Sequence, residues 1–239
     1  MPQLYVNLDH VATVRQARGT PYPSVVEAAL VAEATGRIHG ITLHLREDRR
    51  HVHDDDMREV GRRIELPFNF EMSVAEEIVL VCLEVGPAQA TLVPEKREEL
   101  TTEGGLDLDR GGDRVREVTA RLKDAGTLVS LFIDPDADAI RRSLDLGATH
   151  IELHTGRYAD ATNDAERLRE LDALREGARL AHEIGLVVNA GHGLTHENVG
   201  PVAAIPNMED LNIGHAIVAR AILLGLPSAL AEMRTAMGC

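Results

Sequence analysis

Two stretches near the carboxyl end carry residue types suited to holding phosphate and moving protons. Val187-Val188-Asn189-Ala190-Gly191-His192-Gly193-Leu194 is a β-branched run that ends in an asparagine, two glycines and a histidine. It predicts a buried strand opening into a polar, glycine-lined loop. Leu211-Asn212-Ile213-Gly214-His215 repeats the design and runs into the helical pattern Ala216 to Leu224. Backbone N–H groups at these two glycine-bearing strand ends can approach an anion closely, and the start of the helical pattern at Ala216 adds partial positive charge. A phosphorylated small molecule is the expected ligand. His192, set between two glycines, has no packing reason to be there and reads as functional.

Further candidates lie toward the amino end. In Thr42-Leu43-His44-Leu45-Arg46 the period of two turns His44 and Arg46 to one side and the leucines to the other. Histidine titrates where proton transfer is useful, so His44 reads as a proton-transfer group rather than a core residue. Glu71, within Asn69-Phe70-Glu71-Met72, is either an acid or base with a pKa raised by burial or the partner of an arginine such as Arg46. Both readings stand. From the charge run Arg46 to His51, Arg46 and His51 are expected to face the site. Either Arg15 or Arg18 is placed to clamp a phosphate. His53, His182 and His196 are expected at the surface, and Asp136 is expected to cap a helix.

These residues need elements to bring them together. Eight short apolar runs begin at Leu4, Gly40, Phe68, Ala90, Leu128, His150, Leu186 and Leu211, with amphipathic segments between them. Alternating strands and helices of this number predict a closed (β/α)8 TIM barrel with extra helices, forming a single domain over residues 1–239. A doubly wound open sheet is the competitor, but Asn7-Leu8-Asp9-His10 stands where its glycine fingerprint would be. Nearly every run ends in polar residues: Asn7, Asp9 and His10, then His44 and Arg46, Glu71, Glu95 and Lys96, Asp134, Glu152 with His154, and Asn189 with His192. In such a barrel those ends form the catalytic face. The loop from Glu95 to Asp113 is the longest, and Thr101-Thr102-Glu103-Gly104-Gly105 at its centre suits a lid that meets a phosphate.

Composition narrows the alternatives. The net charge is −14, with 25 basic against 39 acidic residues, which argues against nucleic acid as a partner. Lys96 and Lys123 are the two lysines, so oxyanion contacts fall mainly to arginine. Lys96 sits among charged residues that would not lower its pKa for a class I aldolase. Two cysteines, an unremarkable amino terminus and no membrane-length apolar run imply a reduced, cytoplasmic protein with no membrane partner. No metal is expected, because His44, Glu71 and His192 come from well-separated strands and no HExxH helix occurs. The competing functions are a metal-dependent sugar-phosphate epimerase or aldolase, and a silent barrel that senses phosphorylated metabolites.

Eight motifs in order carry a family resemblance. They are Asn7 to Thr13, Arg15 to Thr20, Gly40 to His51, Val93 to Arg97, Thr101 to Leu106, Ile151 to Gly156, Asn189 to Leu194 and Leu211 to Ala216. Together they closely resemble the pyridoxine 5′-phosphate synthase family along essentially the whole chain. The resemblance implies condensation of 3-amino-2-oxopropyl phosphate with 1-deoxy-D-xylulose 5-phosphate, releasing phosphate and water, without metal or organic cofactor, in a homo-octamer built from dimers. It implies general bases at His44 and Glu71, a general acid at His192 and a transition-state stabiliser at Glu152. Asn7, Arg18, Gly193, Gly214 and His215 resemble the family's contacts to the amino ketone phosphate. Asp9, His10, Arg46, His51 and Thr101 resemble those to the deoxyxylulose phosphate. The turn Gly36-Arg37-Ile38-His39-Gly40 is about one residue longer than the family's usual one, and is expected to affect packing rather than chemistry.

Overall fold

The computed structural model describes residues 1–95 and 104–238. Eight parallel strands run β1 (Gln3–Asn7), β2 (Gly40–Leu45), β3 (Phe68–Met72), β4 (Gln89–Leu92), β5 (Leu128–Ile133), β6 (His150–His154), β7 (Val187–Gly191) and β8 (Met208–Ile213). Each pairs with its sequence neighbour and β8 closes on β1, which excludes the open sheet.

Among the described residues the helices are α1 (Asp9–Gln16), α2 (Val25–Ala34), α3 (Asp54–Arg63), α4 (Glu76–Val85), α5 (Leu108–Asp124), α6 (Ala137–Asp145), α7 (Gly156–Ala159), α8 (Asp164–Glu183), α9 (Val199–Ala203), α10 (His215–Leu224) and α11 (Leu226–Ala236). Two helices instead of one follow β1, β6 and β8, so the extra helices are present. Local chemistry sets several boundaries. Asp136 caps α6 by accepting from the N–H groups of Asp138 and Ala139, as expected of it. Asp107 caps α5 by accepting the Arg110 N–H. At four and five residues, α7 and α9 are too short for a periodic signal.

Alternation along the strands divides two interiors. Leu4 and Val6, Ile41, Leu43 and Leu45, Phe70 and Met72, and Leu131 and Ile133 are all fully buried and face the helices, forming the apolar core. The barrel lumen is polar. Thr42, Asn69, Gln89, Thr91, Ser130, Glu152, Asn189, Asp210 and Asn212 are buried, where barrels of this class usually place branched aliphatics. Hydrogen bonds cross the lumen between strands that are not neighbours: Thr42 Oγ1 on β2 donates to Asn212 Oδ1 on β8 at 2.8 Å, and Asn212 Nδ2 donates to Glu152 Oε2 on β6 at 2.6 Å. On the opposite arc, Thr91 Oγ1 donates to Asn69 Oδ1 at 2.8 Å. In the turn before β2, His39 Nδ1 accepts the Leu4 N–H at 3.1 Å, which ties the turn to β1.

Candidate active site

The strand register brings His44 and Glu71 side by side on β2 and β3 at the carboxyl rim. Asp9 joins them. It belongs to the first turn of α1, not to the end of β1 as the sequence suggested, because the chain turns immediately after Leu8. Its Oδ1 accepts the His44 N–H at 2.8 Å and its Oδ2 accepts from Asn7 Nδ2 at 2.8 Å. Asn7 Nδ2 also lies 3.4 Å from Glu71 Oε2. One atom each of Asp9, His44 and Glu71 therefore falls within a mutual 4.8 Å. His44 and Glu71 stand on neighbouring strands, not on the well-separated ones expected to keep a metal from binding.

Glu95, named in the sequence only as a polar strand end, is an integral part of this cluster. Its Oε1 lies 3.0 Å from His44 Nε2 and its Oε2 accepts the Glu47 N–H at 3.0 Å. Burial raises its pKa, but the hydrogen bond and charge of His44, the Glu47 N–H and the Arg46 cation outweigh that and hold it below the usual value. An anionic Glu95 thus orients the His44 ring.

Burial, then the negative charges of Glu152 and Asp9, push Glu71 well above the ordinary carboxyl range against the opposing hydrogen bond from Asn7. The alternative of an ion pair between Glu71 and Arg46 gives way to this raised acid. Arg46 is buried, with its Nε 3.5 Å from Asp48 Oδ1. Glu152 lies deeper in the lumen. Burial raises its pKa to about 8, opposed by the Asn212 hydrogen bond and aided by the charge of Asp210. Gly191 makes room for it, since a Cβ there would fall 2.3 Å from Glu152 Oε1.

His192 and Gly193 sit beyond β7 at φ of 83° and 76°, an unusual backbone for histidine. Thr155 holds the turn by donating through Oγ1 to the Gly191 and His192 carbonyls. Burial lowers the His192 pKa to about 4, with His154 and His10 reinforcing and Asp160 opposing. Gly214 caps α10, and a Cβ there would fall 2.9 Å from Asn7 Oδ1. His215 opens α10 and meets the His10 ring edge-on at 5.0 Å. His51 faces His44 at 6.3 Å, and burial lowers its pKa despite Asp9.

The two arginines after β1 divide differently from the expectation that either suits a phosphate. Arg15 is committed to Asp56, with two contacts of 2.7 Å, and to the His51 carbonyl at 2.9 Å. Arg18 is exposed in the turn after α1. Thr101 and Lys96 lie outside the described residues. His182 is exposed as expected, whereas His53 and His196 are half-buried.

The rim therefore combines raised carboxyls, oriented imidazoles and a helix amino terminus in one mouth. Residues 4–238 match the family described as "Pyridoxal phosphate biosynthesis protein PdxJ". The chain belongs to the PdxJ family. A relative from Synechococcus sp. (strain JA-2-3B'a(2-13)), named pyridoxine 5′-phosphate synthase, is 54% identical over 238 residues, covering 100% of this chain and 99% of its own length. Among solved structures, this PdxJ chain resembles KGPDC from Streptococcus mutans, with a TM-score of 0.68, 12% identity and coverage of 100% and 98% of the two chains. Thiamine phosphate pyrophosphorylase from Pyrococcus furiosus follows at 0.62, 16% identity, 99% and 95% coverage. These two likenesses concern the barrel fold alone.

Proposed function

We propose that this PdxJ-family protein is a pyridoxine 5′-phosphate synthase. It condenses 3-amino-2-oxopropyl phosphate with 1-deoxy-D-xylulose 5-phosphate, closes the pyridine ring and releases phosphate and water. The observation that carries this reading is the in-register His44–Glu71 pair, with Glu95 behind the imidazole and Asp9 beside it, in a chain whose family is described as a pyridoxal phosphate biosynthesis protein. Ring closure requires imine formation, phosphate loss, water addition and dehydration, so several protons move at different steps. Groups whose pKa values are pushed apart can divide that labour.

In this reading His44, held by Glu95, and Glu71 take protons from the condensing substrates. Glu152 stays protonated to about pH 8, so it donates a hydrogen bond to developing negative charge. His192 returns protons to leaving groups once an anionic substrate beside it raises its basicity. Asn7, Gly193, Gly214 and His215 hold one phosphate at the start of α10, and Arg18 is assigned to it from the family resemblance. Asp9, His10, Arg46, His51 and Thr101 hold the second substrate. Fixing both substrates through their phosphates supplies orientation, worth roughly 7–11 kcal/mol of barrier in well-positioned cases. We place this chemistry without metal or organic cofactor in a single-domain, cytoplasmic protein assembled as a homo-octamer from dimers. Among the described residues no helix is long and apolar enough to cross a membrane.

The proximity of Asp9, His44 and Glu71 favours a second reading, a metal-dependent sugar-phosphate enzyme. It is the weaker one because His44 Nε2 is engaged by Glu95 and both oxygens of Asp9 are engaged by Asn7 and the His44 N–H. The deciding experiment incubates purified protein with both phosphorylated ketones and follows pyridoxine 5′-phosphate and inorganic phosphate together. Glu71→Gln is expected to bind both substrates and form no product. Normal turnover by that variant removes Glu71 from the mechanism.

A further inference from the structure

Arg15, in the last turn of α1, spends its guanidinium inside the protein. It meets Asp56, in the first turn of α3, through two parallel contacts of 2.7 Å, and its Nη2 also donates to the His51 carbonyl at 2.9 Å in the loop between β2 and α3. Each side chain of the pair is only 11% exposed. Asp56 is held from a further side, since its Oδ2 accepts the His53 N–H at 2.9 Å in the capping box of α3. The other end of α1 carries Asp9 and His10. One helix of eight residues therefore joins two parts of the pocket assigned to the deoxyxylulose phosphate, Asp9 and His10 at its head and the loop of Arg46 and His51 at its foot.

We propose that Arg15 and Asp56 are positioning residues for the deoxyxylulose phosphate, acting through His51. Their ion pair fixes the loop after β2 so that the His51 ring offers its Nε2–H to that substrate. This rests on the reading of His51 as a contact of the deoxyxylulose phosphate, and adds what sets its place and its hydrogen-bonding polarity.

The polarity follows from the backbone. His51 Nδ1 accepts the Val52 N–H at 2.7 Å, so the neutral ring carries its proton on Nε2 and can donate to a phosphate or carbonyl oxygen. The ring stands among Asp9, His10, His44 and Arg46, close enough to feel the charge of each. Arginine suits the task because its planar fork serves both Asp56 oxygens and the His51 carbonyl at once, in charge-assisted bonds. A lysine ammonium on a flexible stem lacks that fixed geometry. The other phosphate is assigned to the glycine loops after β7 and β8, so loosening this pair should weaken one substrate and spare the other.

The test uses full-length enzyme with each ketone varied in turn. In Arg15→Lys and in Asp56→Asn, KM for the deoxyxylulose phosphate is expected to rise about tenfold, the scale of one hydrogen bond, while KM for the amino ketone phosphate changes little. A merely structural role would lower stability and kcat without separating the two KM values. Action through His51 is read from a double-mutant cycle: His51→Ala raises the same KM, and adding Asp56→Asn to it brings little further rise. Asp56→Asn keeps the shape and Arg15→Lys keeps the cation, so each guards against misfolding of the other. KM values that stay in place or rise equally in the folded variants overturn the proposal, as does a rise that is fully additive with His51→Ala. If His51→Ala itself leaves KM for the deoxyxylulose phosphate unchanged, the reading of His51 as a substrate contact falls first and takes the proposal with it.

Discussion

Asn212 on β8 bridges Glu152 on β6 and Thr42 on β2 across the barrel axis, at 2.6 and 2.8 Å. One amide thus connects three strands and holds a carboxyl that is almost wholly buried. The Glu152 pKa rises on folding from 4.5 to about 8. The folded protein therefore binds more protons than the unfolded chain between those values. The Glu152 contribution to stability is greatest below pH 4.5 and is lost as pH rises through about 8. Urea denaturation across this window should show wild-type stability falling by up to about 1.4 kcal/mol per pH unit from this group. Glu152→Gln should flatten the dependence, and identical slopes for the two proteins would refute the assignment.

Removing the bridge acts on the same carboxyl from the other side. Asn212→Ala leaves Glu152 and Thr42 without their shared partner, which costs about 1–3 kcal/mol for buried polar groups. The Asn212 hydrogen bond holds the Glu152 pKa down, so its loss should move the Glu152-dependent limb of the activity profile to higher pH. A denaturation midpoint and a kcat profile measured on one preparation check both consequences.

Glu95 is expected to matter through His44. Glu95→Gln keeps the shape but gives up the anionic acceptor 3.0 Å from His44 Nε2. A fall in kcat of about 10²-fold, at the lower edge of general acid–base contributions, with little change in KM is the predicted signature. A change confined to KM would instead place Glu95 in substrate binding.

Gly214 is needed for space. An alanine Cβ would sit 2.9 Å from both Cβ and Oδ1 of Asn7, pushing that side chain off Asp9 and Glu71. Gly214→Ala should raise KM for the amino ketone phosphate more than for the deoxyxylulose phosphate. Steady-state kinetics with each substrate varied in turn measures the difference, and equal effects on both would contradict the assignment of this loop.

Exhaustive dialysis against a strong chelator separates the two readings of the Asp9, His44 and Glu71 cluster. Full activity afterwards is the expected result. Loss that returns on adding one divalent ion would favour the metal-dependent alternative.

The amino-acid sequence alone was enough to determine the barrel. Eight apolar runs between amphipathic segments predict a parallel sheet with helical crossovers and a polar rim, and the pairing of β8 with β1 excludes the open alternative. His44 and His192 stood out as candidates because an ionisable residue at the end of an apolar strand has little structural reason to be there, whereas Glu71 read equally as the partner of an arginine. Tertiary closure decided the rest. It gathered polar strand residues such as Thr42, Asn69, Glu152 and Asn212 into a buried lumen, moved Asp9 from a strand end into the first turn of α1, and committed Arg15 to Asp56. It also paired Glu95 with His44 across 51 positions and Asp134 with His154 across 20. Such pairs leave no periodic trace, because their energy depends on the register of separate strands and on the shared burial of two charges, neither of which exists until the cylinder has closed.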